Sequence, residues 1–229
     1  MRRPQQGFNL ISLMIGSSLS LVSILAMLSL YKNMVGISVS SIQDARQDGQ
    51  IAASLLTAQQ ELRNAGFRID PDAVPLASRV LLVSGAALNN GTLSGTAQTL
   101  STAARTGNAI VWIYKTSSTG TATCAGLLVQ NGQLSRLQGA TGCTQVSQWN
   151  STTWTTTPLI ESGQPANFFS VQYTGCWPFG KTADTTSGTT RAQVTMTALT
   201  STADANSTDP QSPYVKNIST VCLPNLQNT

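Results

Sequence analysis

The stretch Gly7-Phe8-Asn9-Leu10-Ile11-Ser12-Leu13-Met14 opens an apolar segment, and no charged residue occurs anywhere from residue 4 to residue 31. Within residues 10–31, 15 of 22 residues are apolar, six are Ser and one is Gly16. A run of this length exceeds the roughly 18 residues that mark a membrane-spanning helix. Arg2 and Arg3 precede it, so the positive-inside tendency places the N-terminus in the cytoplasm and the remainder outside. An ordinary secretory signal peptide has a shorter apolar core followed by a small-residue cleavage site. Here the run leads directly into a helical pattern with no A-x-A site, so it is expected to stay with the protein as an anchor.

Downstream, no proline occurs between Phe8 and Pro71. Val35, Val39, Ile42, Ala45, Ala52, Leu55, Leu56, Leu62 and Ala65 recur at spacings that fit a helix face. The polar residues Asp44, Arg46, Asp48, Gln59, Gln60 and Glu61 lie between them. The pattern predicts one helix of about 58 residues, roughly 87 Å long at 1.5 Å per residue. Its half from residue 8 to 33 is read as transmembrane. Its half from 34 to 66 is read as amphipathic and packed against a head formed by residues 67–229. Gly36 and Gly49 each cost about 1 kcal/mol against Ala in a helix and mark places for a bend. Gly66 stands where a helix cap is expected, with Arg63 in the last turn and Pro71 beyond.

From about Ile69 the pattern becomes short β-branched runs separated by turn residues. Strands are predicted at 79–83, 109–115, 124–130, 133–137, 167–173, 191–199 and 215–223. Asn131-Gly132 is a two-residue hairpin signal between two of them. In 191–199, Ala192, Val194, Met196 and Ala198 alternate with Gln193, Thr195 and Thr197, as in a half-buried antiparallel strand. The polar stretches 84–107, 144–158 and 180–190 read as surface loops. The expected class is α+β, with a long N-terminal helix laid across an antiparallel sheet.

Charged residues make up 10% of the chain, against roughly 25% in ordinary soluble domains. This poverty of charge and wealth of Ser and Thr suit a surface or secreted protein. The formal net charge of +4 falls to +2 without Arg2 and Arg3 (four less two), and no short window is a basic cluster, which argues against nucleic acid as a partner. The chain has no histidine, which removes the commonest general base and most zinc sites. No paired carboxylates and no glycine-rich phosphate loop appear, so no enzyme activity, catalytic residue, metal or cofactor is expected. Asp70-Pro71-Asp72 and the acidic run from Asp204 to Asp209 carry hard oxygen ligands suited to calcium, but neither has EF-hand spacing and ordinary turn chemistry accounts for both. Trp112, Trp149, Trp154 and Trp177 are candidates for either a binding patch or core packing.

The four cysteines, Cys124, Cys143, Cys176 and Cys222, lie in the distal half without a CxxC spacing. In an exported chain an even count points to two disulfides, for which three pairings exist. The pairs Cys124–Cys143 and Cys176–Cys222 are favoured over the others and over four buried thiols. The first closes a loop of about 20 residues, worth roughly 3 kcal/mol on the chain-entropy model. The second ties the last strand back.

The residues from Gly7 to Met14 resemble the type IV prepilin signal, Gly-Phe-Thr-Leu-Ile-Glu-Leu-Met, matching at Gly7, Phe8, Leu10, Ile11, Leu13 and Met14. The short basic leader and charge-free helix belong to the same pattern. The run Glu61-Leu62-Arg63-Asn64-Ala65-Gly66-Phe67 is similar to the end of the long helix in PilW-type minor pilins, a group akin to the J pseudopilins of type II secretion. The resemblance implies removal of residues 1–7 by prepilin peptidase between Gly7 and Phe8, N-methylation of Phe8, and the type IV pilin fold. It also implies partners: other minor pilins and the major pilin through bundling of N-terminal helices, an inner-membrane assembly platform, and the membrane before assembly. The protein would be a single-pass inner-membrane protein with a periplasmic head, then part of an extracellular pilus.

The chain departs from the family at Ser12, where the pattern has Glu. That carboxylate is thought to meet the amino terminus of a neighbouring subunit, and a buried charge is tolerated mainly when paired. A subunit at the filament tip has no subunit above it to satisfy, so Ser12 favours a minor, tip-located pilin; a neutral residue that is simply tolerated is the other reading. Ser12, Gly16, Ser20 and Ser23 form a small-residue stripe of the kind that lets transmembrane helices approach closely. The expected function is a structural subunit that primes pilus assembly at or near the tip. A type II secretion minor pseudopilin is the nearest alternative, and a pilus-mounted adhesin or DNA-binding module is the second.

Overall fold

The protein is described by a computed structural model over residues 10–140, 143–161, 163–177, 190–200 and 216–228. It divides into two compact units, one ending at Arg46 and one beginning at Gln47. A single helix, α1 (Leu10–Arg63, 54 residues), runs from the first into the second, unbroken at Gly36 and Gly49. In the first unit its large apolar side chains, from Leu10 to Ile42, are exposed. In the second unit Ile51, Leu55, Ala58 and Leu62 are buried, a spacing that puts one stripe of the helix into a core.

Ten strands complete the second unit: β1 (Val80–Asn89), β2 (Thr92–Gln98), β3 (Arg105–Gly107), β4 (Ala109–Tyr114), β5 (Thr123–Gln130), β6 (Gln133–Gly139), β7 (Trp154–Ile160), β8 (Phe169–Thr174), β9 (Thr190–Leu199) and β10 (Lys216–Asn228). They form two antiparallel sheets, one of six strands in the order β2-β1-β4-β5-β6-β7 and one of four in the order β10-β9-β8-β3. The head therefore holds two sheets where one was expected. The α+β layout, a long N-terminal apolar helix with antiparallel sheets, matches the pilin-like architecture.

The buried stripe of α1 shares one core with Leu82, Ile110, Trp112 and Leu127 of the larger sheet and with Phe169, Val171, Val194 and Met196 of the smaller. A second core occupies the other face of the larger sheet, built from Val83, Leu93, Val111, Ile113, Leu128 and Trp154. Strand β4, Ala-Ile-Val-Trp-Ile-Tyr, is apolar on both sides because it serves both cores, Ile110 and Trp112 one way, Val111 and Ile113 the other. Such near-continuous apolar runs mark strands covered on both faces.

The sheets meet at Asn108, between β3 in one and β4 in the other. Its backbone N–H donates to Val83 O (3.1 Å), and its carbonyl accepts from Val129 N–H (2.7 Å). Its carboxamide donates to the carbonyls of Ala86 (2.7 Å) and Val129 (2.9 Å) and accepts from Ala86 N–H (2.7 Å). Beside it, a Cβ on Gly107 would lie 2.5 Å from Val83 O, so only glycine lets the crossing chain approach this closely.

The predicted strands recur, with β1 extended to Asn89 and β10 to Asn228. Asn131 and Gly132 have φ values of 53° and 75°, and Gln130 pairs with Gln133, as in a type I′ hairpin. Two of the expected loops are corrected. The stretch 84–107 contains the end of β1 and all of β2 and β3, turned at Asn90 and Gly91 (φ 50° and 78°). The stretch 144–158 contains a short 3₁₀ turn, Val146–Gln148, and most of β7. Both β2 and β7 are edge strands whose side chains are largely exposed, so backbone pairing defines them without an apolar alternation. The third stretch, 180–190, lies outside the described residues except for Thr190, which begins β9.

Disulfides join Cys124 to Cys143 and Cys176 to Cys222, with Cα separations of 5.5 and 5.9 Å. These are the two pairs favoured from the sequence. The first fastens the segment around Val146 and Trp149 over the second core.

Candidate functional site

The candidate site is the helix α1 and the place where the head holds its end. Ser12, Gly16, Ser20 and Ser23 are all exposed on α1, and among the described residues a Cβ built on Gly16 meets nothing within 4 Å apart from its chain neighbours and the helix's own backbone. Ser17, Ser18 and Ser23 donate their hydroxyls to the carbonyls of Met14, Ile15 and Leu19, so these hydroxyls are satisfied within the helix. The most apolar part of the helix is not buried anywhere in the protein's described residues. Long enough and apolar enough to cross a bilayer, this surface gains from lipid or from other apolar helices. Gly7 and Phe8 lie outside the described residues.

Side-chain interactions hold α1 to the head. Ser54 donates to Leu159 O (2.5 Å), and Gln59 donates to Ser219 Oγ (2.5 Å). Glu61 forms an ion pair with Arg136 (3.0 Å). At the C-terminus the last carbonyls of a helix lack intrahelical partners. Asn225 of β10 supplies donors to the carbonyls of Arg63 and Ala65, both at 3.2 Å. Gly66, with φ 72°, turns the chain out of the helix and donates its N–H to Ile113 O (2.8 Å). Sequence reading placed the Gly66 cap but missed Asn225; the only sign was Pro224, since proline inside a strand points to a bulge.

Beside the helix end a cleft of about 730 Å3 is lined by Gly66, Arg68, Asp72, Arg79, Pro224 and Asn225. Arg79 is buried and spends its donors on the loop, to Val74 O (2.6 Å) and Pro71 O (2.9 Å). Asp70 accepts from Asp72 N–H (3.0 Å), which is turn chemistry. No group of three metal-ligating side chains occurs among the described residues; the run from Asp204 to Asp209 lies outside them. Burial pushes the Tyr173 phenol above its usual range, with the positive charge of Arg79 opposing the shift.

The tryptophans do not form a surface patch. Trp112, Trp149 and Trp154 are buried, and Trp154 Nε1 donates to Trp149 O (2.8 Å). Trp177, adjacent to Cys176, is part-exposed and stacks under Arg191 at 4.0 Å, as a cation–π pair.

In comparisons with known proteins, no family model, no curated protein and no solved structure matches the chain.

Proposed function

We propose that this chain is a minor pilin, a structural subunit that primes assembly of a type IV pilus and sits at or near its tip. The single observation that carries this reading is the run Gly7-Phe8 to Met14 opening an apolar segment whose large side chains, from Leu10 to Ile42, are exposed on α1. On this reading residues 1–7 are removed, Phe8 is methylated, and α1 first crosses the inner membrane with the head in the periplasm. Extraction into the pilus then exchanges lipid for neighbouring helices, through packing along the stripe of Ser12, Gly16, Ser20 and Ser23. The work is done by helix bundling, without a catalytic step. The two disulfides suit a head that matures in an oxidising compartment.

A minor pseudopilin of a type II secretion system would use the same residues in the same way, and the PilW-type minor pilins that residues 61–67 resemble are akin to the J pseudopilins. Prepilin processing tests what the two readings share. In cells with prepilin peptidase, Gly7→Ala is expected to leave an unprocessed chain, longer than the native product by the leader and unmethylated. Normal processing of that variant would refute the proposal. Ser12→Glu tests the tip position. It is expected to impair assembly, and labelled native protein should appear at pilus ends; unimpaired assembly with labelling along the shaft would remove that part.

A further inference from the structure

Cys222 is the last residue of β10 that pairs in register before the strand bulges. It stands opposite Gln193, and pairing resumes at Gln227 opposite Arg191. Residues 223–226 therefore span the single position of Ala192. Leu223 and Leu226 use this slack to enter the helix-side core, where both are fully buried. Asn225 uses it to reach the carbonyls of Arg63 and Ala65. The fit is close, since a Cβ on Gly66 would lie 2.8 Å from Leu226 Cδ2 and 3.1 Å from Asn225 O. The bulge is thus the part of the head that closes the end of α1.

The disulfide Cys176–Cys222 fastens the last paired residue before this bulge to the chain that follows β8. The two disulfides differ in access. Cys124 is 0% exposed and Cys143 3%, whereas Cys176 and Cys222 are both part-exposed. Exchange proceeds by attack of a thiolate on a disulfide sulfur, so access decides which bond opens first.

We propose that Cys176–Cys222 is a redox-sensitive latch on the end of α1, opened selectively by a dithiol reductant while Cys124–Cys143 stays closed. A thiolate of the reductant attacks one sulfur, forms a mixed disulfide and expels the other as a thiolate. The reductant's second thiolate then resolves the mixed disulfide. The Cys176–Cys222 bond takes up two electrons and two protons to give two thiols, and the dithiol becomes a disulfide. With Cys222 released, residues 223–226 lose their anchor, Asn225 loosens its hold on the helix carbonyls, and the last turn of α1 gains freedom together with the loop that follows it.

The test uses the full oxidised chain in detergent micelles, with dithiothreitol as the probe, timed alkylation read by mass spectrometry, and amide hydrogen exchange on the same samples. Cys176 and Cys222 are expected to become alkylated about tenfold or more faster than Cys124 and Cys143. In the singly reduced protein, exchange should rise about tenfold at residues 61–69 and 223–227 and stay unchanged in β4. Equal reactivity of the two disulfides would overturn the proposal, as would selective reduction without a change at 61–69. Asn225→Ala with both disulfides closed should raise exchange at 61–69 on its own; no effect there would also refute it. Replacing both Cys176 and Cys222 by Ser should reproduce the reduced state, and where that variant fails to accumulate, stepwise reduction of the native chain still decides. None of these readouts depends on prepilin processing, so they stand or fall separately from the pilus proposal.

Discussion

The carboxamide of Asn108 satisfies both backbone groups of Ala86, donating to its carbonyl and accepting from its N–H at 2.7 Å each. Ala86 lies inside the register shift of β1 between Ser84 and Ala87, where the ladder to β2 cannot pair it. A side chain thus replaces a missing strand at the point where the chain changes sheets. Asn108→Ala would leave the Ala86 groups and one bond to Val129 O unmet. Each buried unmet group costs about 1–3 kcal/mol, so a loss of about 3 kcal/mol or more is expected in urea unfolding followed by tryptophan fluorescence. Asn108→Asp keeps the shape but cannot donate, and is expected to lose nearly as much.

Two glycines of α1 and its end should respond in opposite directions. At Gly66 a side chain meets a positive φ of 72° and Leu226 at 2.8 Å, so Gly66→Ala is expected to destabilise by more than about 1 kcal/mol. At Gly49 the space is open to 4 Å in mid-helix, and Gly49→Ala is expected to stabilise by up to about 1 kcal/mol. Paired denaturation curves check both.

The helix has a buried stripe and an exposed one within the same turns. Leu62 is 0% exposed and Leu56 is 56% exposed. Leu62→Ala is expected to cost about 2–5 kcal/mol through lost burial and the cavity left behind. Leu56→Ala should stay within about 0.5 kcal/mol. Thermal melts of the two variants would separate them clearly; equal losses would contradict the packing described for the second unit.

Alkaline pH should weaken the head through Tyr173. Its folded pKa is raised from the usual 10.0 by burial, so the folded state holds the phenol proton more tightly than the unfolded chain does. The stabilising difference is fully present below pH 10.0 and is lost as pH rises through the folded pKa. Tyr173→Phe is expected to flatten this part of the stability–pH curve while leaving neutral stability little changed, as read from unfolding midpoints between neutral and alkaline pH.

Much of this architecture was legible in local sequence. The proline-free stretch from Phe8, the apolar recurrence that includes Leu55, Leu62 and Ala65, and Gly66 beyond Arg63 announce a long helix and its end. Ala52 and Leu56 of that recurrence are exposed, however, and Ile51 and Ala58 are buried in their place. The alternation from Ala192 to Ala198 and the pair Asn131-Gly132 announce a strand and a turn. Asn90-Gly91 carries the same turn signal, but the strand after it, β2, exposes Thr92, Ser94 and Thr96 and buries only Leu93, so no apolar alternation marks it.

Residue order alone determined the features that depend on neighbours along the chain: the charge-free helix, its small-residue stripe, the glycine that ends it and the β-branched runs of the head. These follow from backbone sterics, helix periodicity and the cost of burying charge, which act over a few residues. Only the tertiary structure decided that the head is two sheets, that Asn108 pins their junction, and that Asn225, 162 residues beyond Arg63, closes the helix. Those contacts are made by single polar side chains satisfying backbone groups far away in sequence, and such a partner is specified by the fold around it, with no local pattern to mark it.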